Sequence, residues 1–308
     1  MLLLCAALPA DCLRVAVVQL RIDESTYSSL ESFRHTVSAA VESAVRAPRP
    51  DLIVFPEYTS VFLAVLPYAQ GLRGAASVAD GLARVAAADS QIGSLRQVFL
   101  EQAPMVQGLV CEVFGGLARH HGVAIIAGTA FARVAGSDGT EELRNRAFVF
   151  GPDGVLVSMQ DKVYLSEFET DVIGLSPGSV DEAAPFAVAG TRVGLTLCRD
   201  TFFAEWERRF RGLDLWIDIK ANGVPFTAEE REDFAAALPA RLPGAGVRNG
   251  ITACLVGRFL DLAWEGESSV IECIDGRVRV RVSALSAREP EILRAEIGVT
   301  EGGISWRK

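Results

Sequence analysis

The chain has 308 residues, 50% hydrophobic and 22% charged, proportions ordinary for a globular protein with room for a large core. A formal net charge of -9 argues against a nucleic-acid or anionic-membrane partner, because such surfaces need basic patches. Cys5, Cys12, Cys111, Cys198, Cys254 and Cys273 are scattered without a C-x-x-C pair, and a chain this long needs no disulfide framework, so reduced thiols and a cytoplasmic location are expected.

Residues 1–12 (MLLLCAALPADC) are apolar, but they lack a basic start and a strand pattern follows at once. They are read as a disordered N-terminal extension, with one domain over 13–308. Nothing approaches the ~20 apolar residues of a membrane span. Residues 13–20 read as a buried strand. Residues 25–47 form an amphipathic helix through Leu30, Phe33, Val37, Ala40, Val41 and Val45, broken by Pro48-Arg49-Pro50. A second strand over 51–58 ends in Pro56-Glu57, a carboxylate at the C-terminal edge of an apolar strand, where α/β folds place chemistry. A solvated strand end fits that residue equally well.

Residues 61–121 are mainly helical, with a long helix over 92–120 that Pro104 can divide. A strand over 122–128 follows. Residues 145–150 and 155–160 make a β-hairpin about Gly151-Pro152-Asp153-Gly154. Segment 161–169 then brings Lys162, Glu167 and Glu169 to a strand end. The apolar run 193–197 delivers Cys198 to the start of a charged helix, beside exposed backbone N–H groups and a positive helix terminus. A thiolate nucleophile belongs there, although a lone cysteine is more often a small buried hydrophobe. Strands over 213–219, 250–257, 268–274 and 277–282 and a helix over 228–237 complete the pattern, which suggests two sheet layers covered by helices.

Lysine occurs at only three of the 30 Lys+Arg positions: Lys162, Lys220 and Lys308. Arginine therefore carries the generic surface charge, and a lysine inside an element marks a place for a compact ammonium. Gly174-Leu175-Ser176-Pro177-Gly178 matches G-x-S-x-G literally, but Pro177 and the absence of a helical pattern beyond deny it a nucleophile elbow. His35, His120 and His121 all precede Ser176, whereas that hydrolase order needs a later histidine. His120-His121 has no partner at metal-ligand spacing and suits a helix C-terminus, so no metal is expected.

Phe55-Pro56-Glu57, Asp161-Lys162-Val163-Tyr164-Leu165 and Gly194-Leu195-Thr196-Leu197-Cys198-Arg199-Asp200, in that order, resemble the three signature blocks of the nitrilase superfamily of carbon-nitrogen hydrolases. Arg248-Asn249-Gly250 and Gly266 to Ile271 resemble its supporting segments. The resemblance implies an α/β fold built as a four-layer αββα sandwich, commonly a homodimer. It further implies a hydrolase without cofactor that cleaves a non-peptide C–N bond of a small amide or N-carbamoyl compound through a cysteine thioester. Catalytic roles fall on Glu57 as base, Lys162 with the backbone N–H of Arg199 at the oxyanion, Cys198 as nucleophile and Glu169 as second glutamate, with Glu167 its rival. Tyr58, Arg199, Phe202 and Asn222 are the candidate substrate-binding residues. Asp200 after Arg199 favours the amide side over a nitrile substrate, and Arg199 could bind a substrate carboxylate. The alternatives are a nitrilase and a catalytically silent binding or scaffold relative.

Overall fold

The computed structural model describes residues 12–88, 92–136 and 139–298. All of the N-terminal extension except Cys12, which opens the first strand, lies outside them. In chain order the elements begin with β1 (Cys12–Ile22), α1 (Leu30–Ala44), β2 (Leu52–Phe55), a 3-10 segment (Val61–Tyr68), α2 (Ala69–Leu72), α3 (Val78–Ala88) and α4 (Leu95–His121). Next come β3 (Ala124–Ala135), β4 (Glu141–Phe150), β5 (Leu156–Asp161), a π turn (Phe168–Ile173), β6 (Phe186–Val188) and β7 (Thr191–Leu197). A 3-10 turn (Cys198–Phe202) leads to α5 (Glu205–Arg209), β8 (Leu215–Lys220), α6 (Ala228–Ala236) and α7 (Leu238–Ala245). The chain closes with β9 (Asn249–Phe259), β10 (Leu262–Trp264), β11 (Ser269–Ile274), β12 (Arg277–Ser283) and β13 (Glu291–Gly298).

One sheet runs β5-β4-β3-β2-β1, with β13 antiparallel on the other side of β1. The second runs β6-β7-β8-β9 and continues into β11 and β12. The two are stitched where Leu20, Arg21 and Ile22 pair in parallel with Leu255, Val256 and Gly257. Strands buried on both faces need apolar residues at odd and even positions alike, and the alternation sorts them into layers. Val15, Val17, Leu52, Val54, Ala124 and Ile126 face the space between the sheets, where Leu215, Ile217 and Ile219 meet them. Ala16, Val18, Ile53, Phe55, Ile125 and Ala127 face outward onto Phe33 and Val37 of α1 and Phe114 of α4. On the far side, Trp216 packs with Trp206 of α5 and Leu238 and Leu242 of α7. Three apolar spaces between four layers make the chain an αββα sandwich in one domain.

Several boundaries differ from the sequence reading. Helix α1 starts at Leu30 because Asp23 Oδ1 accepts the N–H groups of Ser25 and Thr26 in a turn, and Ser29 Oγ then caps the helix through the N–H of Ser32. Pro104 does not divide α4, which runs 27 residues from the Ser94 cap to left-handed Gly122. The charged helix expected after Cys198 is replaced by the 3-10 turn and the five-residue α5. Strands β6, β10 and β13 and helix α7 were not expected. Among the described residues no helix is long and apolar enough to cross a membrane.

Candidate active site

Four strand ends and the loops after them converge on one cleft. Beyond β2, Pro56 carries the chain into Glu57, and Tyr58 turns it sharply at φ 63. That left-handed conformation is unfavourable for a bulky residue, and local bonds hold it. The Tyr58 N–H donates to Thr129 Oγ1 at 2.9 Å, and Thr59 Oγ1 donates to the Pro56 carbonyl at 2.8 Å. Lys162 follows β5, and its N–H donates to the Asn145 carbonyl on neighbouring β4.

The side chains form one buried chain of contacts. Lys162 Nζ lies 3.0 Å from Glu57 Oε1 and 2.7 Å from Glu169 Oε2. Asn145 Nδ2 donates to both glutamates, at 2.8 Å to Glu57 Oε1 and 2.9 Å to Glu169 Oε1. Glu57 Oε2 accepts the Ala221 N–H, and Glu169 also accepts from Tyr58 Oη, Ser166 N–H and Ser166 Oγ. Both carboxylates are fully buried and Lys162 nearly so. Their charge states separate. Burial pushes the Glu57 carboxyl up, opposed by Lys162 and reinforced by the Glu169 charge. Burial acts the same way on Glu169, but Lys162 and the Ser166 and Asn145 donors outweigh it and hold that carboxyl low. Burial alone would drive Lys162 neutral; the two carboxylates overcome it and hold the ammonium well above its ordinary value.

Cys198 sits where β7 ends, half-buried, with φ 53. Burial and then the Glu57 charge push its thiol up to about 12, with Lys220 and Lys162 pulling the other way. Asp200 ties this turn to the lysine loop: Oδ1 accepts the Val163 and Tyr164 N–H groups, and Oδ2 accepts the Leu197 N–H. The carboxylate noted in the sequence beside Arg199 is therefore a clamp between the two segments that carry Lys162 and Cys198.

Lys162 and Cys198 line a cleft of about 780 Å³, as do Tyr58, Arg199, Phe202 and Asn222. Two of these are engaged elsewhere. Arg199 Nη1 donates to the Leu165 carbonyl, and Asn222 Nδ2 donates to the Val224 and Glu265 carbonyls, fastening the loop after β8 to the segment after β10. Glu167 is exposed on the cleft wall while Glu169 reaches Lys162, which separates the two candidates by geometry. Ser176 of the G-x-S-x-G match lies in a loop, its N–H donating to the Leu143 carbonyl. The His120 and His121 rings stack edge to face at the end of α4.

Asn145, Thr201 and Asp218 were missed. Asn145 lies between Arg144 and Arg146 in the polar half of β4 and gave no local signal, whereas Asp218 and Lys220 interrupt the apolar run of β8, where a polar residue inside a buried strand was the available sign.

Human (Homo sapiens) omega-amidase NIT2 is 34% identical to this chain over 130 residues, 39% of the chain and 44% of that protein. Omega-amidase NIT2-A of Xenopus laevis is 33% identical over 116 residues, 35% and 39% of the two chains. The chain thus matches less than half the length of these curated relatives. Among solved structures, an amidase from Nesterenkonia sp. has a TM-score of 0.63 at 21% identity, covering 95% of this chain and 93% of that one. A mutant form of the Nesterenkonia sp. AN1 amidase, with a TM-score of 0.64 at 21% identity over 94% and 92% of the two chains, bears the acetamide moiety of fluoroacetamide on its active-site cysteine. The family description "Carbon-nitrogen hydrolase" matches residues 14–232. That span covers more than half of the chain and takes in Glu57, Lys162, Glu169 and Cys198, so the chain belongs to the carbon-nitrogen hydrolase family.

Proposed function

We propose that the chain hydrolyses a non-peptide C–N bond of a small amide or N-carbamoyl compound and releases ammonia through a thioester on Cys198. The observation that carries this reading is the buried Glu57–Lys162–Glu169 chain, drawn from separate segments, behind a cleft that both Lys162 and Cys198 line. A thiol pushed up to about 12 rests protonated, so attack needs a base. Glu57, whose carboxyl burial raises, takes the thiol proton as sulfur bonds to the carbonyl carbon. Lys162 and the Arg199 backbone N–H stabilise the oxyanion. Glu57 returns the proton to the nitrogen, the C–N bond breaks and ammonia leaves. Water, deprotonated by Glu57, then attacks the thioester and frees acid and thiol. Glu169, held ionised, keeps Lys162 charged throughout.

The omega-amidase relatives and the amidase structures support an amide over a nitrile. The family resemblance extends the reading to a homodimer, and the free Cys12, Cys111, Cys198, Cys254 and Cys273 suit a reducing cytoplasm. The test is ammonia release from a panel of amides, N-carbamoyl amines and nitriles, with Cys198→Ala beside the wild type. Release from amides by wild type alone is expected. Release from nitriles only would reassign the enzyme as a nitrilase, and no release from any substrate would favour a binding or scaffold role.

A further inference from the structure

We propose that Lys220 is a positioning residue for the nucleophile: its buried ammonium grips the Cys198 carbonyl and fixes the left-handed turn that presents the thiol to the cleft. The proposal rests on Cys198 being the nucleophile. Lys220 closes β8 and is 2% exposed. Its Nζ donates to the Cys198 carbonyl at 2.9 Å and lies 2.9 Å from Asp218 Oδ2 and 3.4 Å from Thr201 Oγ1. The Thr201 hydroxyl stands 3.0 Å from the Cys198 carbonyl and 2.8 Å from Asp218 Oδ2, and its single proton serves one of them at a time. With Lys220 on the carbonyl, that proton is free for Asp218.

Trp216, Asp218 and Lys220 alternate with Leu215, Ile217 and Ile219, so the ion pair lies on the helix-facing side of β8. The Phe202 and Phe234 rings stand 5.2 and 5.1 Å from Nζ. A buried ion pair is often replaceable by apolar residues of the same volume without loss of stability, so stability alone gives no reason for it here. What an apolar pair could not do is hold the backbone carbonyl of a residue at φ 53. A planar guanidinium spreads its donors over a fixed fork, and in a chain with only three lysines among its 30 Lys+Arg residues this position takes one, a compact ammonium able to face one carbonyl, one carboxylate and one hydroxyl together. The same charge favours the thiolate, against burial and Glu57. The other titratable groups facing the pair are Cys198 itself, Asp200 of the 3-10 turn, Cys254 of β9 and Glu230 of α6, while Lys162 from the loop after β5 and Glu57 act on the Cys198 thiol.

The experiment is iodoacetamide alkylation of Cys198, resolved from the other cysteines by peptide mass spectrometry, between pH 7 and 10. Wild type is compared with Lys220→Met and with the neutral pair Asp218→Asn/Lys220→Met, which leaves no unpaired buried charge. The expected result in both variants is a Cys198 rate lower by about 10-fold at each pH, the rate curve being displaced about one pH unit upward, with kcat lowered in parallel and KM within about twofold. Wild-type alkylation rates in a folded variant would overturn the proposal. So would a neutral pair that fails to fold, since that assigns the ion pair to the core. Wild type that releases no ammonia from any substrate sinks the functional reading instead, while the labelling comparison still reports on Lys220.

Discussion

Every contact to the buried Glu57 carboxylate comes from a donor: Lys162 and Asn145 on Oε1, the Ala221 N–H on Oε2. Burial nonetheless raises its pKa, and a base works only when ionised, so activity is lost as pH falls through that raised value. The acid limb of kcat/KM is therefore expected above the ordinary glutamate value of 4.5. A limb at or below that value would assign the base to another group. Glu57→Gln should lower kcat by at least about 10³-fold across the whole range, as loss of a general base does. Asn145 donates to both glutamates through one nitrogen and so fixes their spacing about Lys162. Asn145→Ala leaves each buried carboxylate one donor short, and kcat should fall by about 10- to 100-fold, equivalent to about 1.4–2.7 kcal/mol of barrier. Steady-state kinetics at saturating substrate check this, and an unchanged kcat would make Asn145 a packing residue.

At the scale of elements, β2 and β3 are held close enough that the site depends on a glycine. Gly128 has φ 70, and a Cβ there would meet the Pro56 carbonyl and stand 2.7 Å from Thr59 Oγ1. Gly128→Ala should destabilise by about 1–3 kcal/mol. Because Pro56 precedes Glu57, kcat should drop with it; a denaturation midpoint and kcat both equal to wild type would show that the loop yields freely. Pro104, exposed within α4, denies the Leu100 carbonyl its helical bond. Pro104→Ala is expected to raise the unfolding midpoint by about 1–3 kcal/mol in stability without changing kcat. Glu57 and Cys198 were legible in the sequence because each stands at the end of an apolar strand, Lys162 because lysine is scarce and this one follows a hairpin strand, and Glu169 only through the family resemblance, with Glu167 its rival. Their partners were less so: Asn145 and the Ala221 N–H act across folds of the chain that leave no local pattern, while Asp218 showed only as a polar break in the apolar run of β8. Helix α7 carries Pro239, Pro243 and Gly244, which read as loop, and only its seat on Trp206 and Trp216 makes it helical.

The whole molecule is joined through its last third. Strand β9 lies between β8 and β1 and carries β11 on its antiparallel side, so it belongs to one sheet and stitches it to the other. Strand β13, unexpected because its charged and apolar residues mix and its partner lies at the other end of the sequence, pairs with β1 from Cys12↔Gly298 to Gln19↔Glu291. Gln19, buried on β1, accepts the Ser268 N–H and donates to the Ser286 and Glu289 carbonyls, so the opening strand is fastened to the closing segment by side chain as well as backbone. The family match ends at residue 232, after Glu57, Lys162, Glu169 and Cys198 but before Asp261 to Trp264, which also line the cleft. Cutting the chain at 232 keeps Glu57, Lys162, Glu169 and Cys198 but removes β9, leaving β8 and β1 as open edges and the space between the sheets without Ile251, Ala253 and Leu293. Such open, apolar edges favour association with other chains over closure of the sandwich. The truncated protein is expected to aggregate, with no cooperative thermal transition and no ammonia release, while the full chain melts in one step by circular dichroism. A truncated form that stayed monomeric and melted cooperatively would show that the sheets close without β9, and that the site's strand ends are set by the first 232 residues alone.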